Sequence, residues 1–451
     1  MPTAHPELPN AARRRELLTA ARAVLDRNWT GSSTIPAPGI YPHQWSWDTG
    51  FIAIGRSWGD GARGGAELEH LLEAQWSNGM VPHIRFGPDT TNYFPGPDFW
   101  QARRSPAAPR EIETSGITQP PNHALAALEI QRRARGAAER LAARGVIERI
   151  YPRLVAQHDY LDRRRDPGRI DLATIVHPWE SGLDNSPAWD RDLEELVIPP
   201  GALPAYERRD LMHADPKDRP TDAAYDRFVY LVATYRDSDY DDASLLRSSP
   251  FLIAGPLFNA IYLWSTHALV EIARIVGADP EPHVRRAKAI SAAMVRRLWD
   301  PASRLFLGLD LRTGHFEPEE TIIAFTPLLD PDLPTELVDA ICHDLGSSLF
   351  HPTADAHYLV PTYGVGAPGF DARRYWRGPV WLNTNWLLWR GLRQHGRAEY
   401  AAEILASSVA LVEKSGFREY FDPLTGEGHG GHDFSWTAAL LIDMLERPDG
   451  E

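Results

Sequence analysis

The 451-residue sequence holds a single cysteine, Cys342. No intrachain disulfide can form, and no cluster of thiolates can gather a metal. The opening stretch, residues 1–25, has no apolar signal core, and no run approaches the roughly 18 continuous apolar residues of a membrane span. A cytoplasmic location is the expectation, which makes the sequon Asn28-Trp29-Thr30 a chance match. Positive charge is also in short supply: 47 basic against 61 acidic residues leave a net charge of −14. No lysine- or arginine-rich run offsets that balance, so nucleic acid and anionic membranes are excluded as main partners. Nothing in the sequence decides between a monomer and a homo-oligomer.

What the chain does have is tryptophan, 15 of them, with 38 prolines and 34 glycines. The indole combines a flat apolar face with one N–H donor, which suits the C–H faces and hydroxyl rims of sugars, although large cores use tryptophan too. Helical periodicity dominates the rest. Amphipathic or buried helices are predicted over 11–28, 48–58, 60–76, 120–136, 144–163, 251–276, 280–299, 318–328, 334–347, 378–394, 397–414 and 433–446. In the 280–299 segment Asp279 is placed to cap and Val284, Ala287, Ile290, Met294 and Leu298 recur at spacings of three and four. The 251–276 segment is apolar around most of its circumference and is expected to be buried on most sides. Buried and amphipathic helices alternate as in a ring of helical hairpins, without the fixed period of a solenoid. The irregular stretches are 29–47, 79–119, 165–245 and 350–377. Of these, 79–119 and 165–245 are read as excursions covering one end of a single domain spanning 1–451.

Several motifs fail on context. Gly364–Gly369 matches GxGxxG, but Pro368 interrupts it and no helix opens from it. There is no nucleophile elbow and no phosphate loop. His429 and His432 have loose metal-like spacing in a glycine loop, where a metal is the weaker reading. The carboxylates are more informative. Glu180 and Asp184 lie in HPWESGLDNSPAWD, where proline and glycine oppose helix and tryptophan opposes solvation. The segment reads as a rigid loop presenting acids beside aromatic surface, or as a turn capped by Asp184 and Asn185. An apolar setting raises a carboxyl pKa, as a general acid near neutral pH requires. Glu419 follows a helix between Arg418 and Tyr420. Asp48 follows Tyr41, Trp45 and Trp47 on a short loop and can cap the next helix. Acids among aromatics at helix ends are how a glycosidase site is made, a pair of carboxyls flanking the bond and rings stacking on the sugar.

The segments YPHQWSWDTGF, QWSNGMVPH, YFPGPDFW, SGITQPP, HPWESGLDNSPAWD, YWRGPVWLNTNWLL and GFREYFDP with FSWTAAL together resemble glycoside hydrolase family 63, in particular its small bacterial members acting on glucosylglycerate or mannosylglycerate. They run from Tyr41 to Leu440. The resemblance implies an all-α (α/α)6 barrel and an inverting mechanism without metal or organic cofactor. By motif, Asp184 matches the general acid and Glu419 the general base. Tyr41, Trp45, Trp47 and Asp48 match the loop around the sugar, and Gln119, Trp179, Trp376 and Trp381 match further pocket residues. Tyr93, Arg219, Tyr225 and Tyr375 would face the glycerate, where a guanidinium can clamp a carboxylate with two parallel hydrogen bonds. One departure is that no glutamine lies between Phe417 and Trp436, where the resemblance leads one to expect a glycerate contact. The implied partner is a small carbohydrate substrate. Three rivals stay open: an α-glucosidase on short neutral oligosaccharides, a sugar epimerase using histidines such as His177 or His267, and a non-catalytic sugar-binding protein.

Overall fold

The computed structural model describes residues 8–90, 93–212, 215–351 and 358–447. Parts of the stretches 79–119, 165–245 and 350–377 therefore lie outside the described residues. The protein is mostly helical. In chain order the α-helices are α1 Ala11–Arg27, α2 Ser46–Arg56, α3 Gly61–Glu73, α4 Pro97–Trp100, α5 His123–Arg133, α6 Gly136–Arg164, α7 Asp190–Glu195, α8 Asp222–Asp237, α9 Asp242–Ser248, α10 Pro256–Val276, α11 Glu281–Leu298, α12 Thr335–Leu345, α13 Leu382–Gln394, α14 Ala398–Ser415 and α15 Ser435–Glu446. Among the described residues, strands are confined to two-residue antiparallel pairs, such as Gln44–Trp45 with Ile84–Arg85 and Tyr420–Phe421 with Gly428–His429.

Local chemistry accounts for the helices. The Asp279 carboxylate accepts the Glu281 N–H at 3.0 Å and opens α11, whose buried residues include Ala287, Ile290, Ala293, Met294 and Leu298 on one face. Helix α10 buries residues around most of its circumference and packs against α5, α6 and α11. Helix α2 packs between α15, α3 and α5, while α13 packs against α14, α15 and the segment Ile322–Leu329. That segment also lies against α10 and α12. Two glycines allow close packing between these elements. A Cβ on Gly55 of α2 would collide with the Ala439 backbone of α15, and one on Gly391 of α13 would come within 2.7 Å of Leu328. Both faces need a bare backbone to close.

Three expectations are corrected. The predicted helix over 318–328 is a 3-10 segment, Ile322–Leu329, because in an α-helix the Pro327 ring would clash with the carbonyl four residues before it. The helix expected over 144–163 starts at Gly136 and runs through Pro152 for 29 residues. The 165–245 stretch is not irregular throughout, since it contains α8. The Thr221 hydroxyl accepts the Ala224 N–H at 3.3 Å to start that helix, and its buried side chains include Tyr225, Phe228, Val229, Val232 and Tyr235. Among the described residues, no helix is long and apolar enough to cross a membrane.

Candidate active site

A cavity of about 1040 Å³, its open mouth included, gathers thirteen of the fourteen residues that the resemblance assigns to the site. They are Tyr41, Trp45, Trp47, Asp48, Tyr93, Gln119, Trp179, Asp184, Arg219, Tyr225, Tyr375, Trp376 and Glu419. Trp381 is the exception and corrects its expected place in the wall. It is fully buried behind Trp376, the two indoles stacking at 3.5 Å with planes 8° apart, and on Tyr420 at 4.7 Å. Trp376 itself has φ +60, a left-handed conformation rare for a bulky side chain and found where the surroundings over-determine it.

The loop carrying Asp184 is built from consecutive small devices. The His177 ring nitrogen accepts the Trp179 N–H at 3.0 Å and opens the 3-10 turn Pro178–Ser181. Gly182 has φ +83, and a Cβ there would meet the Trp47 ring at 2.8 Å, so only glycine lets the loop lie on that indole. The Leu183 N–H is held by the Ser181 hydroxyl at 3.0 Å, and its carbonyl accepts the Trp189 indole N–H at 2.8 Å. On the far side the Asn185 amide donates to the Tyr375 carbonyl at 2.9 Å. Asp184 is thus fixed from both flanks. Burial pushes its carboxyl up to about 7, with the Arg219 charge opposing and Glu419 adding to the rise.

Glu419 enters from the opposite quarter of the sequence, at the start of the Tyr420–Phe421 and Gly428–His429 hairpin. Its Oε1 accepts the Tyr41 and Tyr375 hydroxyls, both at 2.8 Å, and its Oε2 accepts the Gly431 N–H at 2.8 Å. Gly430, at φ +64, lies so close that a Cβ would run into Oε2. Every one of these partners donates to it. Asp48 sits in the first turn of α2, where burial holds its carboxyl well above the usual range and Glu419 reinforces the effect. The Gln119 side-chain oxygen accepts the Trp47 N–H at 3.2 Å.

Arg219 is buried in the wall. Its Nη1 donates to the Tyr41 hydroxyl at 3.2 Å, its Nε to Asp210 at 3.3 Å, and its guanidinium lies 4.5 Å over the Tyr375 ring. Sequence reasoning missed several wall residues, among them His83, Phe94, Asp210, Phe434 and Trp436. Trp436 was within reach, since the FSWTAAL segment carries it. His83 stacks on Trp179 at 6.3 Å and is kept neutral by burial, its pKa lowered to about 3. His83, Phe94 and Phe434 also lie in the segments that carry the resemblance, whereas Asp210 lies outside all of them and has no local signature.

Glu180 is not in the cavity. Both its oxygens accept from the buried Arg165, at 2.9 and 2.5 Å, and the Thr118 and Val176 N–H groups complete the set at 3.1 and 2.8 Å. It is a structural ion pair rather than an acid on offer. His177 is likewise committed, with Nε2 at 3.0 Å from the Phe228 carbonyl, and His267 lies away from the cavity wall. Neither is placed for the proton transfers of an epimerase.

The chain resembles known proteins over most of its length. Residues 41–437 match the mannosylglycerate hydrolase MGH1-like glycoside hydrolase domain. A mannosylglycerate hydrolase from Rubrobacter radiotolerans is 43% identical over 437 residues, covering 97% of this chain and 98% of that one. A glucosylglycerate hydrolase from Mycolicibacterium hassiacum is 37% identical over 450 residues, covering 95% and 98%. The crystal structure of the GH63 mannosylglycerate hydrolase from Thermus thermophilus in complex with Tris and D-glycerate superposes with a TM-score of 0.88 at 39% identity, covering 96% of this chain and 100% of that one. With a family match over most of its length and relatives of this identity aligned end to end, the chain belongs to the MGH1-like glycoside hydrolases of family 63 and is a glycoside hydrolase.

Proposed function

We propose that this enzyme hydrolyses, with inversion, the α-glycosidic bond of a small glycoside whose aglycone carries a carboxylate, glucosylglycerate first and mannosylglycerate second. The observation that carries the reading is the unlike pair of carboxyls on one cavity: Asp184, pushed up to about 7, and Glu419, surrounded by donors. Asp184 gives its proton to the departing glycosidic oxygen as the C–O bond breaks. Glu419 takes a proton from a water that attacks the anomeric carbon from the opposite face. Inversion needs roughly 6.5–9.5 Å between the two carboxyls to admit that water. Asp48 offers hydrogen bonds to sugar hydroxyls, with Trp45, Trp47 and Trp179 around the ring and Gln119 behind it. Arg219, with Tyr93, Tyr225 and Tyr375, receives the carboxylate of the acceptor. The names of the relatives span both sugars, and the choice between them is part of the proposal.

The same reading extends to architecture. The packing chain α2, α5, α10, Ile322–Leu329, α13, α15 and back to α2 supports an inner ring of six, with α3, α6, α11, α12, α14 and α1 outside it, an (α/α)6 barrel in one domain. Tyr93 from the 79–119 excursion and Arg219 and Tyr225 from the 165–245 excursion lie on the cavity wall, which favours these stretches as its cap.

The test is anomer-resolved proton NMR during hydrolysis of glucosylglycerate, mannosylglycerate and the neutral disaccharide kojibiose. The β-sugar should appear first, and the two glycerates should be cleaved with the higher kcat/KM. The α-sugar appearing first defeats the mechanism. Kojibiose cleaved as well as glucosylglycerate defeats the acceptor assignment and favours a neutral oligosaccharide.

A further inference from the structure

One carboxylate on the cavity wall has no part in the chemistry above. Asp210 lies beside Arg219, where the acceptor's own carboxylate is to arrive. Taken alone, an acid there repels the substrate, so its presence calls for a separate reason. Its partners supply one. Its Oδ2 accepts from Arg208 Nη2 at 2.6 Å and from Arg219 Nε at 3.3 Å, and its Oδ1 accepts from Arg208 Nε at 3.0 Å. Although burial works against it, these two guanidinium groups hold Asp210 below the usual carboxylate range. Arg208 is itself anchored. Its guanidinium lies 4.4 Å over the Tyr225 ring and its Nη1 donates to the Pro220 carbonyl at 2.9 Å and to Asp222 at 2.8 Å.

The consequence falls on Arg219. A guanidinium has five N–H bonds in one plane, and it recognises a carboxylate by two parallel bonds only when that plane and one edge face the ligand. Asp210 takes the Nε hydrogen, Tyr41 takes one hydrogen of Nη1, and Tyr375 supports the plane from below at 4.5 Å. The edge formed by Nη1 and Nη2 is what remains, and among the described residues Nη2 has no hydrogen-bond partner. We propose that Asp210 is a positioning residue that confers selectivity for carboxylate-bearing acceptors, by locking the Nε edge of Arg219 so that its terminal fork is presented to the ligand. The proposal rests on the reading of Arg219 as the acceptor clamp.

The experiment measures kcat and KM for glucosylglycerate and for its neutral counterpart, the α-glucoside of glycerol, and takes the ratio of the two kcat/KM values. It compares the wild type with Arg219→Ala, Asp210→Ala, Asp210→Asn and Asp210→Glu. Asp210→Ala should lower the ratio by about tenfold or more, the equivalent of one misaligned charged hydrogen bond, and the loss should lie in KM for glucosylglycerate rather than in kcat. Asp210→Glu should recover part of the ratio, which general damage to the loop would not allow. If Asp210→Ala does not fold, as judged by its melting transition, the nearly isosteric Asp210→Asn carries the test with the same expected direction. A ratio unchanged in the Asp210 variants while Arg219→Ala collapses it overturns the role of Asp210 and spares the clamp. A wild type without preference for the anionic substrate, or an Arg219→Ala variant that keeps the preference, overturns both.

Discussion

Glu180 and Asp184 stand four residues apart on one loop and meet opposite fates. Glu180 is saturated by Arg165 and two backbone N–H groups, and its charge is fully answered inside the protein. Asp184 faces a cavity, where burial pushes its carboxyl up to about 7. The difference teaches that burial alone does not make an acid catalytic. A buried carboxylate paired with a buried guanidinium away from the cavity is structure, and one that faces the cavity with few donors retains its proton near neutral pH.

The contrast can be broken first at the end that faces the cavity. Asp184→Asn and Glu419→Gln should each lower kcat by about 10²–10⁴-fold or more while keeping the circular dichroism spectrum of the wild type. Near-normal turnover by either variant on the natural substrate removes that residue from its role. At the structural end, Glu180→Ala leaves the Arg165 guanidinium charged and unpaired in the interior. The variant should lose about 3–5 kcal/mol of stability in denaturant unfolding. A loss under about 1 kcal/mol would mean that Glu180 and Arg165 are no tighter than a surface pair.

The third expectation sharpens the contrast through pH. The Asp184 carboxyl titrates near 7 in the folded chain and near 3.8 when unfolded, so between those values the native state binds more protons. Its contribution to stability therefore falls as pH rises through that window. Asp184→Asn should gain melting temperature relative to the wild type at about pH 8 and gain least at about pH 4. Activity of the wild type should decline above about pH 7 as Asp184, the proposed general acid, ionises. A stability difference independent of pH would place the titration elsewhere.

Much of the helical scaffold was legible because caps and apolar spacing are local. Asp279 before α11 and the apolar circumference of α10 are written in consecutive residues. Helix α8 was missed because its stretch is dense in proline and acids and its interior in tyrosine, phenylalanine and valine, which also suit strands. The Thr221 cap, followed by Tyr225, Phe228, Val232 and Tyr235 at helical spacings, was the available signal. In the cavity, residues embedded in aromatic loops stood out. Glu180 was misread because Arg165, fifteen residues away, decides its role. Asp210 was invisible because its meaning lies in the two arginines it joins.

The Trp376–Trp381 stack has an optical consequence. Two indoles 3.5 Å apart and nearly parallel share their electronic transitions, so the pair should contribute a coupled band to the ultraviolet circular dichroism spectrum. Only Trp376 of the two touches the cavity, while Trp381 is sealed behind it. A ligand entering the cavity beside the Trp376 indole should perturb one chromophore of the couple, and with it the shared band. Occupancy of the cavity should then be readable, without a label, from the protein's own absorption.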